Sequence, residues 1–207
     1  EDAILRIDLR TGERKTLLAD GADPALSPDG RTLVYVHLKD GQGDGLWTAN
    51  ADGTGAHPLL KGKDTFFYLQ SPRFDPAGQR IAFSAAGHSA TAVDRMLART
   101  SADGAPSAAV NGAPAAAVNG APLAAVNGAP SAHLGVPSEI FLVPLDGSSV
   151  KSVGQTGDDV TPAWSPDGTR LAFIGTGAFY TLALADGSVK SLAQGKDFFF
   201  GDLLWIR

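Results

Sequence analysis

Apolar and polar residues alternate along most of this chain in short runs, and each run ends at a cluster of Pro, Asp or Gly. Alternation puts side chains two apart on one face of an extended strand, so the pattern predicts many short strands. Residues 3–9 alternate, Thr11-Gly12 turns, and residues 14–18 return. The same unit recurs at 46–50, Asp52-Gly53 and 57–60. It recurs again at 140–145, Asp146-Gly147 and 150–153, and at 179–184, Asp186-Gly187 and 189–192. Asp-Gly between alternating runs marks a β-hairpin, because both turn positions tolerate positive φ.

A second phrase organises the chain. Ser165-Pro166-Asp167-Gly168-Thr169-Arg170-Leu171-Ala172-Phe173-Ile174 matches Ser27-Pro28-Asp29-Gly30-Arg31-Thr32-Leu33-Val34-Tyr35-Val36. A weaker copy is Asp75-Pro76-Ala77-Gly78-Gln79-Arg80-Ile81-Ala82-Phe83-Ser84. Each follows a Pro-x-apolar triplet: Pro162-Ala163-Trp164, Pro24-Ala25-Leu26 and Pro72-Arg73-Phe74. Pro presets φ, Asp bonds back to the backbone and Gly takes the positive-φ position, so the phrase reads strand, tight turn, strand. Each repeat then supplies four strands a–d, over residues 24–60, 72–153 and 162–192, a period that matches a propeller blade. The copies start 48 and 90 residues apart, so the second interval holds one blade plus an insertion.

These residues resemble the WD-like repeat of TolB-type β-propellers over nearly the whole chain. The expected fold is all-β: one domain, 1–207, of four-stranded antiparallel blades. Three blades are complete. The fourth is incomplete and shared by the termini, with c and d from residues 3–18 and a from 202–207, where Trp205 stands in the place of Trp164. Its strand b is missing. The chain is either a four-bladed ring with a defective closing blade, or a fragment completed by a partner. The resemblance implies an extracytoplasmic docking platform. It also admits the propeller of a prolyl-oligopeptidase-type peptidase.

Composition narrows the function. The net charge of −5 lacks the basic face that nucleic acid requires. The absence of cysteine excludes disulfides, thiolate metal sites and Cys nucleophiles. No apolar run is long enough to span a bilayer. The chain opens with Glu1-Asp2, so no signal sequence is expected. Elbow, zincin and phosphate-loop motifs are absent, and His37, His57, His88 and His133 have no metal-ligand spacing. Asp40-Gly41-Gln42-Gly43-Asp44-Gly45 reads as a hairpin turn rather than a calcium loop, since Ala51 replaces the terminal acid. Asp29 and Asp167 recur with the repeat and read as turn residues. The chain is therefore expected to have no catalytic residues, cofactor or metal.

Two features remain for a partner. Residues 86–137, in a b–c loop, are rich in Ala, Gly, Pro and Asn, with octapeptide units from Gly104 onwards. They read as a flexible tether, or as an arm along a partner with Val110, Val118 and Val126 as its repeated contacts. The d–a and b–c loops share one face and are irregular. Two of them match: Phe66, Phe67 and Tyr68 parallel Phe198, Phe199 and Phe200. Such rings either seal gaps between blades or anchor a protein. The expected function is non-enzymatic binding of a protein, or self-association, through this face, the arm and Trp205. The rivals are a peptidase or hydrolase part and a filament or surface-layer subunit.

Overall fold

The computed structural model describes residues 2–60, 66, 68–85, 139–156, 160–175, 177–195 and 203–205. Its regular elements are β-strands throughout. A two-stranded hairpin, β1 (Ala3–Ile7) and β2 (Arg14–Ala19), is followed by three four-stranded antiparallel sheets. Sheet 1 holds β3 (Gly21–Leu26), β4 (Thr32–Lys39), β5 (Gln42–Asn50) and β6 (His57–Pro58). Sheet 2 holds β7 (Gln70–Phe74), β8 (Arg80–Ala85), β9 (Glu139–Pro144) and β10 (Lys151–Gln155). Sheet 3 holds β11 (Ala163–Trp164), β12 (Arg170–Gly175), β13 (Ala178–Ala183) and β14 (Val189–Gln194). In each sheet the strands pair in chain order, as the repeat required.

The sheets stack face to face. Val34, Val36 and Leu46 of sheet 1 pack against Ile81, Phe83, Phe141 and Val143 of sheet 2. Ala82 and Ile140, on the other side of sheet 2, pack against Leu171, Phe173, Tyr180 and Leu182 of sheet 3. Tyr35 and Ala49 close on Ile4 of the hairpin. The second strands are thus covered on both faces. This explains why Leu33-Val34-Tyr35-Val36 is continuously apolar while the outer β14 alternates exposed and half-buried residues. The first strands β3, β7 and β11 are neighbours, and β1 lies beside β3.

The repeated corners build one face of this stack. Ser165 donates its hydroxyl hydrogen to Asp167 Oδ1 at 2.6 Å and accepts the Arg170 N–H at 2.9 Å. Ser27 does the same with Asp29 and the Thr32 N–H. The degraded copy reaches the same geometry with the carboxylate moved. Asp75 stands where Ser belongs, and its Oδ1 accepts the Gln79 and Arg80 N–H groups at 2.8 and 3.1 Å. Ala77, at the usual Asp position, has nothing left to bond.

That exchange leaves a carboxylate only 2% exposed, and Arg80 meets it with Nε at 2.8 Å from Oδ2. The same guanidinium donates to the Gly168 carbonyl at 2.9 Å and lies 4.8 Å over the Trp164 ring. Trp164 Nε1–H in turn donates to the Arg73 carbonyl at 3.0 Å. One corner of sheet 2 is therefore clamped onto sheet 3. At the other turns of this face, Gly53 and Gly147 are in the left-handed region and press against the Leu17 and Leu59 carbonyls. A side chain there would strike the neighbouring sheet's backbone.

Candidate functional site

The opposite face, made of the strand ends before β3, β7 and β11 and of the β4–β5 and β8–β9 ends, differs in kind. The corner face takes positive φ at glycines: Gly12, Gly30, Gly53, Gly55, Gly78, Gly147, Gly168 and Gly187. All five described non-glycine residues with positive φ lie on the opposite face: Asp20, Asp23, Asp40, Tyr68 and Ser71. An L-residue held left-handed costs roughly 1 kcal/mol or more, and such strain collects at binding sites.

Asp23 and Ser71 occupy the same repeat position, immediately before the proline of the first strand. Both ladders are irregular there, between Ala22 and Ala25 and between Gln70 and Arg73. A bulge at a strand end re-aims side chains. Here the result is a line of polar groups across three inner strands. The Ser71 N–H donates to Asp23 Oδ2 at 3.0 Å, and the Ser71 hydroxyl lies 3.1 Å from Thr161 Oγ1. The signal lies in the sequence one residue before each Pro-x-apolar triplet, since Asp23, Ser71 and Thr161 precede the prolines of consecutive repeats.

A second cluster sits on the β4–β5 hairpin. Its turn is Asp40-Gly41, both with positive φ, which twists as the strands twist. The stretch 40–45, read as a hairpin turn, is therefore mostly ladder, with β4 reaching Lys39 and β5 starting at Gln42. The register slips between His37 and Leu38, leaving Asp44 as the extra residue. Its Oδ1 lies 2.6 Å from His37 Nδ1, and the imidazole stacks on the Trp47 ring with centroids 4.2 Å apart. Burial pushes the neighbouring Tyr35 hydroxyl above its ordinary range, with the Asp44 charge adding to it. An imidazole oriented by a carboxylate and backed by an indole presents a flat, polarised surface suited to hydrogen bonding or stacking. Among the described residues no three His, Asp or Glu side chains gather as metal ligands.

The aromatic loop separates into two roles. Phe66 is buried, edge-on to Phe83 at 5.0 Å and to Phe141 at 5.2 Å. Its ring packs between sheets 1 and 2, as the gap-sealing alternative has it, and is not exposed for a partner. Tyr68 is 51% exposed and held at φ 52°. It remains available at the surface. Trp205 is half-buried and donates Nε1–H to the Ala163 carbonyl at 3.1 Å. This repeats the bond from Trp164 to the equivalent Arg73. Phe67, Phe198, Phe199, Phe200, Val110, Val118 and Val126 lie outside the described residues, as does the whole of 86–137.

No protein-family model matches this chain, and no curated protein matches it. Solved structures do. TolB from Acinetobacter baumannii is 16% identical with a TM-score of 0.55, over 93% of this chain and 38% of that one. The nidogen/laminin complex structure is 15% identical with a TM-score of 0.59, over 96% of this chain and 59% of that one. A prolyl endopeptidase structure is 14% identical with a TM-score of 0.50, over 93% of this chain and 26% of that one. At these identities the likeness establishes the fold. The chain resembles TolB-type β-propellers, and it spans less than two thirds of the structures it matches.

Proposed function

We propose that this chain is a non-enzymatic β-propeller scaffold that binds a protein through the face carrying Asp23, His37, Asp44, Tyr68 and Ser71. It would serve an extracytoplasmic bacterial assembly, a location that rests on the TolB resemblance alone. In this reading the three four-stranded sheets are complete blades, and residues 3–19 and 203–205 contribute to an incomplete one. The observation that carries the reading is the confinement of every described left-handed non-glycine residue to this face, where Gly41 and Gly177 are also left-handed, while the turns of the other face use glycine alone. Ala85 and Glu139, which flank the insertion, pair at this face, and in this reading the 86–137 segment serves as an added contact. Pull-down from the native extract with the intact chain, with Tyr68→Ala and with 86–137 deleted tests it. A specific protein lost with either change supports the reading. Recovery of nothing beyond background with the intact chain contradicts it.

A second reading is the propeller part of a peptidase or hydrolase, favoured by the likeness to the prolyl endopeptidase structure. A hydrolase domain encoded in the same reading frame would decide for it. Among the described residues the His37–Asp44 pair forms an oriented acid–base couple on the irregular face.

A further inference from the structure

The polar row across the inner strands has hydrogen-bonding capacity left over, and what is left can be counted. The Ser71 N–H occupies Asp23 Oδ2, and one hydroxyl hydrogen lies between Ser71 Oγ and Thr161 Oγ1. Asp23 Oδ1 meets no donor among the described residues, and no described cation pairs with this carboxylate. Each of the two hydroxyl oxygens keeps a lone pair, and one hydroxyl hydrogen remains. The next residues, Pro72 and Pro162, are buried and have no N–H to offer these acceptors. Asp23 is exposed, and Ser71 and Thr161 are half-buried.

The row is thus rich in acceptors and carries a negative charge. Its complement is a cation with several donors. The two protein cations differ in how they would fit. A guanidinium grips a carboxylate through both oxygens as a fork, and here the Ser71 N–H already holds one of them. An ammonium is a compact charge with three donors, one for each of Asp23 Oδ1, Ser71 Oγ and Thr161 Oγ1. Tyr68, three residues before Ser71 and 51% exposed, offers a ring for the aliphatic stem behind such a charge.

We propose that the Asp23–Ser71–Thr161 row is a lysine-binding site, where the protein partner seats a lysine ammonium with its stem against Tyr68. The inference rests on the docking reading and names the partner's chemistry at that face. Two observations lift the row above an ordinary solvated carboxylate. Asp23 and Ser71 are both left-handed, so the chain keeps two L-residues in a costly conformation to bring these groups into line. The row is also built wholly from contacts the chain supplies: β3 lies between β1 and β7, and β7 between β3 and β11.

The test is an NMR titration of the full chain with three acetylated and amidated peptides, Gly-Gly-Lys-Gly-Gly and its arginine and norleucine counterparts. The lysine peptide should shift the Ser71 and Thr161 amide signals to saturation. The arginine peptide should bind about threefold more weakly or worse, and norleucine, which keeps the stem without the charge, should not bind. Asp23→Asn should weaken lysine binding about tenfold or more, and Thr161→Val about threefold to fivefold. Both changes keep the side-chain shape, Asn tolerates positive φ, and circular dichroism checks the fold. No saturable shift, equal affinity for the arginine or norleucine peptide, or unchanged binding by Asp23→Asn would each overturn the proposal. In the pull-down, a partner captured equally by the intact chain and by Asp23→Asn overturns this inference and leaves the docking reading standing. Capture of no specific protein by the intact chain fails the docking reading and this inference with it.

Discussion

Removing the Arg80 guanidinium should cost more than its exposure suggests, because it serves a corner that has lost its usual chemistry. In Arg80→Ala the Asp75 carboxylate, 2% exposed, keeps its two backbone donors but loses its charge partner. Orphaning a buried partner costs 3–5 kcal/mol at the extreme; with the guanidinium 41% exposed and water able to enter, about 1–2 kcal/mol is reasonable. Loss of the bond to the Gly168 carbonyl adds about 1 kcal/mol. Loss of the contact over Trp164 adds about 0.5–1 kcal/mol. The total is about 3 kcal/mol, read as a shift of the urea midpoint at unchanged slope. The control is a second background, Asp75→Ser with Ala77→Asp, which rebuilds the corner seen at Ser165 and Asp167. There Arg80→Ala should cost about 1.5 kcal/mol, since no buried carboxylate is stranded. Equal costs in the two backgrounds, or less than about 1 kcal/mol in the native one, would show that Arg80 does not neutralise a stranded Asp75.

Other expectations follow from the same contacts. Gly147→Ala, left-handed and pressed on the Leu59 carbonyl, should destabilise by about 2 kcal/mol or more, against about 1 kcal/mol for Gly187→Ala, which is left-handed in open space; urea unfolding compares them. Phe66→Ala should cost about 3 kcal/mol, while Tyr68→Ala should shift stability by less than about 0.5 kcal/mol and act on partner capture. The Ser165 hydroxyl, with the Thr169 N–H and hydroxyl, holds the Asp167 carboxyl at about 2, below its ordinary 3.8. A depressed folded value means the stabilisation is full above about pH 4 and fades as pH falls toward 2. Asp167→Asn should therefore flatten the stability profile in that window, and an unchanged acid limb would contradict the assignment.

The architecture was legible because its signals are local. Three Pro-x-apolar triplets with Pro-Asp-Gly or Pro-Ala-Gly corners, and three Asp-Gly hairpins, fixed strand order without any long-range information. The site was less legible. Phe66 and Tyr68 belong to one aromatic run, yet one ring is in the core and the other at the surface. Nothing in the run separates them, because the choice depends on Phe83 and Phe141 from sheet 2. The approach of Asp44 to His37 depends on a register slip within β4–β5 that composition does not announce. Asp75 shows the opposite case: a copy that looks degraded is intact in geometry, because moving the carboxylate two residues back leaves the same N–H groups satisfied.

The inner strands of consecutive sheets lie side by side, and a cross-link between two of them probes that arrangement. The chain contains no cysteine, so a pair introduced as Ser71→Cys and Thr161→Cys can report only on itself. The native hydroxyls are 3.1 Å apart although 90 residues separate them in sequence. The two thiols should oxidise to an intramolecular disulfide in the folded protein, seen as faster migration without reductant and a raised unfolding midpoint. Two thiols that stay free in the folded double variant would contradict it.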